Sequence, residues 1–95
     1  MNMAKFLVLW TLEQSLLSAQ MAKAVGRMPE YGEKLAAEGK VLARYHIVGG
    51  HGGAWIYDVD SNEELDTLLA KAPVFNFARY DVRVLAEMAA PPVVG

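Results

Sequence analysis

The stretch 41–65, VLARYHIVGGHGGAWIYDVDSNEEL, carries both histidines and four of the eight glycines of the chain. Residues 41–48 and 54–59 are rich in β-branched and aromatic side chains, and a Gly-His-Gly segment separates them. That pattern predicts two antiparallel strands joined by a hairpin connection. Ser61-x-x-Glu64 follows at once. A hydroxyl at the N-cap with a carboxylate three residues on is a capping box, so a helix opens there with Leu65, Leu68 and Leu69 on its buried face. Pro73 closes that helix.

Upstream, residues 5–12, KFLVLWTL, are apolar, β-rich and too short for a helix, which predicts a buried first strand. Thr11-x-x-Gln14 matches a second capping box and predicts a helix from that point. Leu16, Leu17, Met21, Ala24, Val25 and Met28 would then share its buried face. Gly26 and Pro29 interrupt the periodicity, predicting a break at 26–30 and a further helical piece at 30–38, ended by Gly39 in a left-handed conformation. Downstream, 77–86 alternate as a fourth strand, and AAPPVVG (89–95) is a tail unfit for a central strand. The order β-α-β-β-α-β predicts an α+β, ferredoxin-like domain over residues 1–88, with an antiparallel four-stranded sheet. Helices cover one sheet face, and the other must be polar or covered by a second copy.

Composition narrows the chemistry. Ninety-five residues without cysteine hold one domain and no disulfide, thiolate metal site or cysteine nucleophile. Two histidines without a carboxylate cluster make a poor metal site. A net charge of −2 with scattered cations gives no footprint for nucleic acid. The run 6–10 is far shorter than the roughly 20 residues that cross a bilayer and too short for a secretory signal, so a cytoplasmic protein is expected. The expected partners are a small molecule and further copies of the chain.

Side chains alternate along strands, so faces can be assigned from a trial register. Pairing Val48 with Ala54 sets Tyr45 against Tyr57, Ile47 against Trp55, Arg44 against Asp58 and His46 against Ile56. In the last strand Ala78, Tyr80, Val82 and Val84 form an apolar row, and Arg79, Asp81 and Arg83 a charged one. On this register Arg44, His46, Asp58, Arg79, Asp81 and Arg83 share the face away from the helices, lining a cavity between two stacked sheets. Arginine holds carboxylates in bidentate fashion, and imidazole titrates near neutral pH, so the set suits proton transfer on a small carboxylated substrate. His46 is the candidate acid–base group, Arg44 and Arg79 the anion holders, and Tyr45 and Trp55 the walls. An Arg44–Asp58 ion pair is the competing structural role for those two residues. His51, flanked by glycines, is expected at a rim or interface.

Residues 39–85 resemble muconolactone Δ-isomerase and its relatives among the dimeric α+β barrels. The resemblance rests on Gly39, Ile47 with Gly49, Tyr57-Asp58-Val59, Ser61 with Glu63 and Leu65, Leu69, and Pro73-x-Phe75. It implies a ferredoxin-like monomer pairing face to face, with larger rings of dimers possible, and a pocket free of cofactor and metal. It also implies an isomerase or cyclase that moves a proton within a small carboxylated or enolisable substrate, as in aromatic catabolism. The same superfamily holds cofactor-independent monooxygenases of aromatic substrates and proteins of no known activity, so a non-catalytic binding or assembly role stands as the alternative. Along the second strand the isomerases carry roughly Trp-Arg-His-x-Trp-Arg where this chain has Val41-Leu42-Ala43-Arg44-Tyr45-His46, which implies altered pocket chemistry on the shared scaffold.

Overall fold

The computed structural model describes residues 4–88. Its strands are β1 (Ala4–Leu12), β2 (Val41–His46), β3 (Gly52–Val59) and β4 (Ala78–Leu85). They form one antiparallel sheet in the order β2-β3-β1-β4. The helices α1 (Ala19–Gly26), α2 (Met28–Ala37) and α3 (Asn62–Lys71) complete the α+β, ferredoxin-like arrangement expected from the sequence. No helix among the described residues is long and apolar enough to cross a membrane.

Period-two alternation builds the core. Phe6, Val8 and Trp10 of β1 and Gly53, Trp55, Tyr57 and Val59 of β3 are buried, while the residues between them are only half-buried. Onto that face the helices lay Met21 and Ala24, then Met28 and Leu35, then Leu65, Leu68 and Leu69. The opposite face carries Leu7, Leu9, Ala54 and Ile56 at its centre, all half-buried, with no helix over them among the described residues.

The first helix starts later than its sequence predicts. Leu12 N–H donates to His51 O and Glu13 N–H to Phe77 O, both at 2.8 Å, so strands on either side hold the chain extended through residue 13. Thr11 therefore cannot act as an N-cap. After a single 3-10 turn at Gln14–Leu16, Ser18 caps α1 by accepting from Met21 N–H at 3.0 Å. Leu16 and Leu17, expected on the buried face, are exposed in consequence.

The other signals act where they stand. The helix breaks at Arg27, and α2 restarts with Pro29 in its first turn, where a missing N–H costs nothing. Gly39 has φ +76°, with Lys40 N–H on Leu35 O and Gly39 N–H on Ala36 O, the paired bonds of a Schellman motif. Ser61 Oγ accepts from Glu64 N–H at 3.1 Å, while Glu64 Oε1 reaches back to Asp60 N–H at 2.8 Å. The helix it caps ends at Lys71, two residues before Pro73.

The β2–β3 pairing departs from the trial register. Arg44 lies opposite Trp55, Tyr45 opposite Ala54 and His46 opposite Gly53. The tight turn lies earlier than assumed, at residues 47–50, closed by Gly50 N–H on Ile47 O with Gly49 at φ +76°. Gly52 and Gly53 belong to β3. A bulge between Val41 and Ala43 adds the second correction. Strict alternation would put Val41 and Tyr45 on one face and Arg44 and His46 on the other. The extra residue, Leu42, lets Val41 face the helices beside Tyr57 while Arg44 and His46 face them too.

Candidate functional site

Arg44 and His46, two residues apart on β2, share the helix-facing side of the sheet with Trp55 and Gly53. Asp58, Arg79, Asp81 and Arg83 lie on the bare side, in register with Lys5, Thr11, Leu9 and Leu7 of β1. The expected common charged face is therefore split across the sheet, and Arg44–Asp58 pairing does not occur. Arg79 instead forms an ion pair with Glu13, and Arg83 chelates Asp81 through Nε and Nη2 at 3.1 Å each. The assumed register failed because the turn lies at residues 47–50 and not at 48–54, which moves each β3 partner of residues 44–46 by three positions and so reverses their face.

Between sheet and helices lies a pocket of about 260 Å³. Val25, Met28 and Pro29 form its helical wall, Trp10 and Trp55 its aromatic floor, and Arg44, Tyr45 and His46 its β2 side. The two indoles meet nearly perpendicular, at 85°, with ring centroids 6.4 Å apart. Arg44 lies against Trp55, its guanidinium carbon 6.0 Å from the ring centroid, and donates from Nη1 to Pro29 O at 3.2 Å. That single bond engages one of five guanidinium donors, leaving the others for an incoming anion. His46 is exposed at the pocket mouth. Trp10 Nε1 is buried without a hydrogen-bond acceptor.

Of the residues named from sequence, Arg44, Tyr45, His46 and Trp55 line this pocket, and Arg79 does not. His51 lies outside it, exposed between the turn and β3. Sequence reasoning missed Trp10, Val25, Met28 and Pro29, which read as core or as a helix break. The signal available was Pro29 itself, since a chain that stops and restarts a helix exposes backbone carbonyls there.

The buried phenols are unsuited to acid–base work at neutral pH. Burial pushes Tyr80 up to about 12 and raises Tyr57 further, while burial and then Glu38 raise Tyr31. Tyr31 is already committed, its hydroxyl donating to Leu68 O at 2.6 Å.

The family model described as muconolactone delta-isomerase matches residues 5–90. The chain belongs to the muconolactone isomerase family. The Muconolactone Delta-isomerase of Cupriavidus pinatubonensis is 34% identical over 76 residues, 80% of this chain and 83% of that protein. That of Acinetobacter baylyi is 34% identical over 55 residues, 58% of this chain and 57% of its own. Among solved structures, a crystal structure of muconolactone isomerase superposes with a TM-score of 0.70 at 24% identity, covering 96% of this chain and 95% of that one. The protein TTHA0845 from Thermus thermophilus gives a TM-score of 0.55 at 20% identity, covering 95% of this chain and all of the other. Both structural matches carry the fold. Membership in the isomerase family makes this an isomerase-like protein, as the resemblance along residues 39–85 implies.

Proposed function

We propose that the chain is an isomerase that moves a proton within a small unsaturated lactone acid, using the pocket between β2 and the helices and no cofactor. One observation carries this: a pocket in an isomerase-family chain gathers an imidazole, a guanidinium with spare donors and two indole walls. In an α,β-unsaturated lactone the γ proton is acidified through the conjugated double bond. His46 removes it, giving a dienolate. The same imidazolium returns a proton at the α carbon, so the double bond shifts and the base is regenerated. Arg44 holds the carboxylate arm, and Trp55 confines the ring. Arg79 takes no part, being held by Glu13 on the other side of the sheet.

The bare face belongs to the same proposal. Leu7, Leu9, Ala54, Ile56 and the exposed Tyr45 make an apolar strip that a second copy covers face to face. The pocket lies on the other face, so pairing leaves it open.

The test uses muconolactone, the compound for which the relatives are named. Incubation with the purified chain, followed by proton NMR in D2O, should show the isomeric lactone with deuterium at the new methylene. His46→Gln should lower turnover at least ~10²-fold. Unchanged turnover in that variant removes His46 from the mechanism, and no conversion by the wild type rejects the substrate.

A further inference from the structure

Gly32 stands in the middle of α2, a position where glycine is a poorer helix former than alanine. It is buried, and its φ is not in the left-handed region, so backbone conformation does not require it. Space does. A Cβ there would fall 2.5 Å from Arg44 Nη1, 2.7 Å from Arg44 Cδ and 2.9 Å from Trp55 Cη2. The guanidinium thus occupies the notch that the missing side chain leaves beside Trp55, tethered to Pro29 O one turn earlier in the helix.

We propose that Gly32 is a positioning residue, which holds the Arg44 guanidinium at the pocket wall where it receives the carboxylate of an anionic ligand. The carboxylate part rests on the lactone-acid function proposed above; the positioning part does not. Two of the three clashing atoms belong to the long flexible arginine and the third is the edge of the Trp55 ring, which must give by a few tenths of an ångström, so Gly32→Ala keeps the fold at a modest cost in stability that the helix preference of alanine partly offsets. What it changes is the arginine, which must swing away from Trp55 and Pro29.

The experiment has two arms on the full chain. In the first, the Arg44 Nε–H resonance, assigned by its loss in Arg44→Ala, is compared between wild type and Gly32→Ala. A signal displaced by the indole ring current in wild type and returned to the free-arginine position in the variant supports the proposal. An unchanged signal overturns it. In the second, affinities for muconolactone and for its neutral methyl ester are measured. Gly32→Ala should weaken the acid roughly tenfold, as loss of an oriented charge-assisted contact does, and leave the ester unaltered. In an Arg44→Ala background it should add nothing. Equal loss for acid and ester, or additive losses in the double variant, overturns the proposal. A wild type that takes up neither compound rejects the lactone-acid function and with it the carboxylate role, while the first arm still decides whether Gly32 places Arg44.

Discussion

Replacing Gly53 with alanine asks what the glycine pair at the start of β3 is for. A Cβ on Gly53 would lie 2.7 Å from Trp10 Nε1 and 2.9 and 3.0 Å from two carbons of the ring. Ordinary Cβ contacts begin at 3.4 Å, so the indole must retreat by 3.4 − 2.7 = 0.7 Å or more. Trp10 is only 8% exposed and wedged against Trp55, so the open direction is into the pocket it lines. Overpacking of this kind costs about 1–3 kcal/mol. Alanine's lower backbone entropy in the unfolded chain returns roughly 0.5–1 kcal/mol. The net loss is at most about 2.5 kcal/mol and centres on about 1 kcal/mol, which lowers the melting temperature by about 4–8 °C in a domain of this size. Thermal unfolding followed by tryptophan emission and near-ultraviolet circular dichroism reads both consequences, the lower midpoint and the rotated indole. A Gly53→Ala protein that melts within about 2 °C of wild type with an unaltered aromatic spectrum refutes the close-packing argument.

Three further outcomes follow from the structure. Ser61→Ala removes the acceptor for Glu64 N–H and should cost about 1 kcal/mol, seen as a lower urea midpoint at unchanged slope. Glu64 is held below its usual range by Asp60 N–H and then by Lys40, so its contribution is present above the unfolded carboxylate pKa and lost as pH falls through the lower folded value. Acid titration of stability should therefore be shallower in Glu64→Gln than in wild type, and identical curves would remove Glu64 from the acid transition. Ile56→Asp, at the centre of the bare sheet face, should shift native mass from paired to single chains while far-ultraviolet circular dichroism stays as in wild type; retained pairing would place the interface elsewhere.

Much of the fold was legible because its signals are local. The Schellman glycine at 39, the Ser61 cap and the interruption at Gly26 and Pro29 each act through backbone groups within a few residues, so residue type and spacing suffice to place them. The Thr11 box obeys the same local rule and still failed. Two strands distant in sequence compete for Leu12 and Glu13, and their hydrogen bonds outlast a cap that a lone helix would use. The site shows the same division. Arg44, Tyr45, His46 and Trp55 stand out by chemistry, since cations, imidazole and indole on adjacent strands mark a place where small acids can be held.

Which way those residues face was decided by tertiary structure. The sequence of β2 by itself determines a strand with a buried start and a charged end, and alternation then places Arg44 and His46 opposite to Val41. Val41 has to be buried beside Tyr57, and the turn at residues 47–50 sets where Tyr45 and His46 meet β3. Satisfying both ends leaves one residue too many, and the sheet absorbs it as the bulge at Leu42. The turn's register thus puts the imidazole and guanidinium in the pocket under the helices, and the unpaired residue lets Val41 stay buried on the same face. Bulges of this kind carry no local mark, because they arise from the mismatch of two registers fixed at separate places.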